Sequence, residues 1–393
     1  MRPAAQLQSA IELLDEIIVA ARDNGPSADA LATKFFAARR YAGSKDRRAV
    51  RNLAWSAIRA FGERPQNARS AFVALAGENP EIADLFDGSP YGPAAISDDE
   101  PRADGANIPA WIGPHFSPLI DAGEQAALLE RAPLDLRINR LKGDRASVLA
   151  DLPEAEILVQ SEDALRLPTG FSVENHPVIR EGRADIQDLG SQLIVSAAQA
   201  KPGMIVLDLC AGAGGKTLAL ASAMAGVGRI IASDTNRNRL GQLPIRAQRA
   251  GAGSIETLLL NPGQETTMLG EFAGKCDIVL IDAPCSGSGT WRRNPETRWR
   301  LNPARLTQVI DAQAKLLTIG AEMVAPGGHL VYAVCSLLED EGRGQVERFL
   351  DSQDGWRVCD ADITAGRIQG CGLMLTPHHD GTDGFFLARL QKL

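Results

Sequence analysis

The chain has 393 residues, 45% of them hydrophobic and 23% charged, which is enough for two or three globular domains with cores of their own. No apolar run reaches the ~18 positions of a membrane span, and Glu12, Asp15 and Glu16 sit where a signal peptide carries its apolar core. Six cysteines without a CxxC argue against a disulfide framework or a zinc site and fit a reducing cytosol, while a net charge of −8 means that any nucleic-acid contact must come from local basic clusters.

From the N-terminus, about the first 85 residues read as helices by hydrophobic spacing. Leu7, Ile11, Leu14 and Ile18 share one helical face, and Val50, Leu53, Ala57 and Phe61 another. Between them RRYAGSKDRRAVR (39–51) carries six basic residues and one acid; it is either a solvated helix face or a grip for RNA. Residues 86–107 are rich in Pro, Gly and Asp and read as a linker, so residues 1–107 are expected to form a helical domain with its linker. A short helix around Glu124–Glu130 precedes LDLRINRL, EILVQ and LRLP, which alternate like short strands. Residues 108–185 are therefore expected to form a small α/β module. From Ile186 to the end, MIVLDL, RIIASD, SIETLLL, CDIVLI and HLVYAV are strands separated by helical stretches. That alternation predicts a doubly wound parallel sheet over 186–393.

The first of these strands runs into VLDLCAGAGGKT (206–217), an acid followed by a glycine-rich turn that opens a helix. Glycines at 212, 214 and 215 let backbone approach a ligand as no residue with a Cβ can. The next strand ends in Asp234, placed to accept both hydroxyls of an adenosine ribose. A dinucleotide would suit those facts, but the pattern is not GxGxxG, an acid precedes the loop, and the spacing is not that of a P-loop. An acidic strand end with a loose glycine loop suits a ligand carrying an ammonium and a sulfonium, such as S-adenosylmethionine.

Two cysteines follow two later strands: Cys285 in DAPCSGSGTWRRNP and Cys335 in LVYAVCSLLEDEG. The carboxyl ends of parallel strands are where open α/β sheets bind ligands, and two thiols there indicate chemistry through a thiolate. The alternative, buried core cysteine, fits Cys276, Cys359 and Cys371 better. Directly after Cys285, Trp291–Arg305 holds five arginines and two tryptophans, the cations and flat side chains that a single-stranded RNA groove needs. Packing against the sheet edge is the competing role for Trp291 and Trp299.

DLCAGAGGKT (208–217), DAPCSGSGT (282–290) and CSL (335–337), with PLDLRINRLK (133–142), ADIQDLGSQL (184–193) and TPHHDGTDGFFLARL (376–390), resemble the RNA (cytosine-5) methyltransferases over roughly residues 130–393. The paired-cysteine signature carries the specificity; the glycine loop alone would be weak. The resemblance implies a class I methyltransferase, Rossmann-like sheet preceded by a small α/β RNA-contacting module and an all-α NusB-like domain. It also implies S-adenosyl-L-methionine as cofactor and RNA as partner, ribosomal RNA being favoured by analogy, in a cytoplasmic, metal-free protein expected to be a monomer. Cys335 is then the nucleophile, Cys285 the cysteine linked to product release, and Asp282 a hydrogen-bond partner of the base near ring nitrogen 3. Were DNA cytosine methyltransferases the better guide, Cys285 of the Pro-Cys pair would be the nucleophile. The cofactor residues implied are Cys210, Ala211, Gly212, Ala213, Gly214, Gly215, Lys216, Asp234, Asn261 and Asp282. The RNA contacts implied are Arg137, Asn139 and Lys142, to which the Trp-Arg run adds Arg292 and Arg293. Three positions depart from the family: Ala213 replaces a proline, Val334 a threonine, and Asn261 an aspartate. Against the enzyme stand an idle ribosome-assembly factor, which would need no paired thiols, and a small-molecule or NAD-linked enzyme, which would need no Trp-Arg run. A transfer-RNA enzyme of the same family remains open.

Overall fold

The computed structural model describes residues 1–393, which divide into two compact units. The first unit is built on four helices, α1 (Pro3–Arg22), α2 (Ala28–Ala38), α3 (Ser44–Ala60) and α4 (Ala68–Glu78). Pro3 opens α1, where its missing N–H costs nothing, and the Ser27 and Asn67 side chains cap α2 and α4 by accepting from the Ala30 and Ser70 amides. Leu7, Ile11, Leu14 and Ile18 are buried together with Phe35, Trp55, Ile58 and Phe72. The 86–107 stretch is pinned to these helices: Ala103 N donates to Ser70 O, Gly62 N to Ala106 O, and Arg69 pairs with Glu100. The unit runs on to Phe116 instead of ending at 107, and it takes in residues 290–303 from far along the chain.

The second unit contains two sheets. The small one is antiparallel, of order β2-β3-β1-β4, with β1 (Leu134–Ile138), β2 (Glu156–Ile157), β3 (Ala164–Leu167) and β4 (Ala184–Ile186). It is not a free-standing module. Asn139 Nδ2 donates to Ala250 O, and Arg140 N to Ser222 Oγ, both in the part of the unit built on the larger sheet.

The large sheet has nine strands: β5 (Ile205–Asp208), β6 (Arg229–Asp234), β7 (Ile255–Leu259), β8 (Cys276–Asp282), β9 (Val324–Val334), β10 (Trp356–Cys359), β11 (Arg367–Gln369), β12 (Gly372–Leu375) and β13 (Phe385–Lys392). The five predicted strands are all present and run parallel in the order β9-β8-β5-β6-β7. Beyond the parallel part predicted from the alternation, the structure adds antiparallel strands. β13 lies antiparallel against β9, with β12 and β11 beyond it and β10 also pairing with β13. Once HLVYAV had been placed, no further strand–helix–strand alternation marked FFLARLQK, although most of it is buried. Hydrophobic clusters cover both faces of the sheet, as parallel strands require. The chain leaves β5 toward β6 and β7, then returns to β8 on its other side, so the topological switch falls at the carboxyl ends of β5 and β8. No helix is long and apolar enough to cross a membrane.

Candidate active site

The carboxyl ends of β5, β6, β8 and β9 deliver Asp208, Asp234, Asp282 and Cys335 to one end of the sheet. After β5 the glycine loop turns sharply into the helix Gly215–Ala223. Gly212 and Gly214 have φ of +54° and +86°; a Cβ at Gly214 would stand 2.1 Å from Leu243 Cδ1, so a larger residue there must displace Leu243 and hold a left-handed backbone. The loop is tied down by Gly212 N to Asp234 Oδ2 (2.8 Å), Ala211 N to Ser233 O (2.9 Å) and Arg246 Nη1 to Ala213 O (2.8 Å). Asp208 Oδ2 accepts from Thr217 Oγ1 at 2.6 Å, whereas its Oδ1 is buried with no partner. Burial pushes the Asp208 carboxyl up to about 7, and the nearby Asp282 and Asp234 charges act in the same direction. Burial likewise raises the Cys210 thiol well above its usual range.

A cavity of about 650 Å³ opens over these strand ends, lined among others by Cys210, Asp234, Asp282, Pro284, Cys285 and Cys335. Its size suits a drug-sized or cofactor-sized ligand. Its chemistry suits S-adenosylmethionine: Asp234 and Asp282 offer carboxylates for a ribose and for an ammonium or sulfonium, and Cys210 brings the head of the glycine loop to the wall, the rest of the loop, residues 211–216, lying off the lining. Lys216 Nζ sits 2.7 Å from Asp282 Oδ2. Burial works against the ammonium, but Asp282 and the Cys335 charge outweigh it and raise its pKa.

The two cysteines meet. Cys285 Sγ and Cys335 Sγ are 3.2 Å apart, which brings together residues 50 positions apart in sequence. The contact with Cys335 and burial, with the Glu341 charge behind them, push the Cys285 thiol far up. Beneath the pair lies Glu341, fully buried, whose carboxylate accepts from Ser286 N, Ser286 Oγ, Ser336 Oγ and Gln313 Nε2. Sequence reasoning missed it. In LLEDEG it is the last of three consecutive acids, and such a run reads as solvated surface.

Other expected residues fall elsewhere. Asn261 is exposed, with its Nδ2 donating to Gln264 Oε1 at 3.3 Å; its neighbours Leu260 and Pro262 line the cavity and it does not. Arg137 and Asn139, expected to reach RNA, are 4% and 2% exposed. Arg137 donates to Gln187, Asp185 and Ile138 O, and Asn139 to Gly182 O and Ala250 O. Their polar atoms brace the small sheet, which corrects the sequence reading. Lys142 is exposed. Trp291, Arg292, Arg298 and Trp299 are buried in the helical unit, and Arg293 is half-buried there. Trp299 Nε1 donates to Phe61 O, and Arg298 to Ile58 O. The packing role therefore prevails for the tryptophans: Trp299 packs into the helical core, and Trp291 against the Phe116 ring and the Arg298 guanidinium. No group of three or more His, Cys, Asp or Glu is arranged to hold a metal ion.

A parallel sheet with its glycine loop and acidic strand ends in this order defines an S-adenosylmethionine-dependent methyltransferase of the Rossmann-like class. The solved structure of PH0851 shares the fold, with a TM-score of 0.80 at 20% identity over 100% of this chain and 99% of that one. A methyltransferase homologue from Pyrococcus horikoshii matches with a TM-score of 0.63 at 26% identity, over 71% of this chain and 92% of that one. Residues 195–391 match the family described as 16S rRNA methyltransferase RsmB/F. A probable ribosomal RNA small subunit methyltransferase B of Synechocystis sp. is 35% identical over 73% of this chain and 67% of its own length. The chain belongs to the RsmB/F methyltransferase family.

Proposed function

We propose that the protein methylates carbon 5 of a cytosine in 16S ribosomal RNA through a covalent Cys335–cytosine adduct, acting as a cytosolic monomer. The observation that supports this most is the pair of thiols at 3.2 Å on the wall of the cavity that Asp234 and Asp282 also line. Carbon 5 of cytosine is too weak a nucleophile to be alkylated directly. Addition of the Cys335 thiolate at carbon 6 converts the ring to an enamine whose carbon 5 is nucleophilic. S-adenosylmethionine, when bound, supplies an electrophilic methyl group.

The chain's own residues divide the remaining work. Cys210 to Lys216 and Asp234 form the cradle for the cofactor. Lys216 lies within electrostatic reach of Cys335. Lys216 also holds Asp282 through Oδ2, leaving Oδ1 to accept a hydrogen bond from the base near ring nitrogen 3 as charge develops there. For release, the carbon 5 proton goes to a base and the electron pair of the carbon 6–sulfur bond returns to Cys335. We assign the proton step to Cys285. Its raised pKa keeps it as S–H at rest, so for release it first gives that proton to solvent water and then, as a thiolate, accepts the carbon 5 proton. The base must be unstacked to present both faces, with exposed Lys142 as a backbone contact.

Bisulfite sequencing of total RNA from cells with and without the gene tests the proposal. One cytosine in small-subunit ribosomal RNA losing protection is the expected result. A lost site in transfer RNA would keep the chemistry and move the substrate. No lost site would overturn the reading.

A further inference from the structure

The serine after each cysteine points to the same carboxylate. Glu341 is 0% exposed, and both of its oxygens are doubly engaged. Oε1 accepts from Ser286 N at 2.8 Å and Gln313 Nε2 at 2.9 Å; Oε2 accepts from Ser286 Oγ and Ser336 Oγ, both at 2.5 Å. Ser286 follows Cys285 and Ser336 follows Cys335. Gln313 Nε2 also donates to Pro284 O at 2.9 Å, and Gln345 Nε2 to Gln313 Oε1 at 3.2 Å. Tyr332 OH donates to the Glu341 carbonyl at 2.7 Å, which anchors the acid to β9. All four donors to the carboxylate are neutral. A charge buried in this way is costly, and replacing the network with apolar side chains would be as stable or more so. The arrangement therefore has a reason other than stability.

We infer that Glu341 is a positioning residue for the two thiols: its carboxylate ties the turn after Cys285 to the turn after Cys335 and so holds both sulfurs in register over the cavity. The inference rests on the reading of Cys335 and Cys285 as the reacting pair. The clamp acts on geometry, because one acceptor fixes two turns that no covalent link joins. It also acts on charge. The groups acting on Cys285 are Cys335 at the end of β9, Tyr332 on β9 and Glu341 behind; Lys216, in the helix after the glycine loop, pairs with Asp282 at the end of β8. The Glu341 charge favours the protonated form of Cys285.

Two variants separate these effects. Glu341→Gln removes the charge and replaces one carboxylate oxygen, with the two hydrogen bonds it accepts, by an NH2 donor; Ser336→Ala keeps the charge and cuts the clamp on the Cys335 side. The readouts are methylation of the target RNA, S-adenosylhomocysteine affinity, and the pH dependence of iodoacetamide alkylation of Cys285 in a Cys335→Ser background, located by peptide mass spectrometry. Glu341→Gln should lower kcat by about 10²-fold, the scale of an ångström-sized misplacement of a reacting group, with cofactor affinity unchanged, and should move the Cys285 alkylation profile to lower pH. Ser336→Ala should lower kcat in the same direction, by less, and leave that profile in place. An unshifted Cys285 profile in Glu341→Gln, or full turnover in Ser336→Ala, overturns the inference. Alkylation needs no methylation activity, so failure of the RNA assay with the unsubstituted protein would count against the proposed function and leave the thiol readout intact.

Discussion

Arg298 was expected in an RNA groove, and the structure makes it a structural residue whose loss can be sized. Helix α3 ends at Ala60, and its last carbonyls have no partner within the helix. The guanidinium of Arg298, 1% exposed, fills that role: it donates to Ile58 O at 2.7 Å and Arg59 O at 3.4 Å, and also to Pro295 O and Asn107 O. A positive charge at a helix C-terminus also complements the dipole. Each donation from a charged group contributes about 1.5–3 kcal/mol. Burial, with Arg59 nearby, lowers the guanidinium pKa to about 10, and that takes back about 3 kcal/mol. Four such donations less that cost leave at least about 3 kcal/mol, the loss expected for Arg298→Ala. The assay is urea denaturation of the full chain followed by circular dichroism, with hydrogen exchange of the α3 amides to place the loss in the helical unit. A change below about 1 kcal/mol together with weakened RNA binding would refute the reasoning and return Arg298 to the RNA interface.

Cys335→Ala should abolish turnover while S-adenosylhomocysteine still binds by calorimetry, and Cys285→Ala should accumulate a covalent RNA adduct on denaturing gels; normal product release by the second variant would remove Cys285 from the release step. Gly214→Ala must hold a Cβ at φ +86° against Leu243, at about 1–2 kcal/mol for the left-handed backbone alone, so cofactor affinity should fall about tenfold or more. Unchanged affinity would show that the loop is not the cradle. The Asp208 carboxyl, raised to about 7, is protonated in the folded chain but ionised in the unfolded chain between about pH 4 and 7. Its contribution to stability is present at low pH and is lost as pH rises through that window. Asp208→Asn should flatten this limb of the stability–pH profile, and an unaltered slope would reject the assignment.

The sequence by itself determined most of the catalytic half. Glycines, strand-end acids and paired cysteines are local in sequence, and the parallel-strand pattern fixes the end of the sheet on which they emerge. What it left undetermined depends on distance in space. The added strands beyond β9 follow no alternation, because antiparallel pairing at that side of the sheet needs no crossover helix. The burial of Arg137, Asn139 and the Trp-Arg run was illegible because their partners are backbone carbonyls, which every residue possesses and no residue type advertises. Glu341 looked like one of three surface acids until the fold set Ser286, Ser336 and Gln313 around it. Residue type specifies what chemistry a side chain can do; only the tertiary structure decides whether its polar atoms are spent inside the protein or left for a ligand.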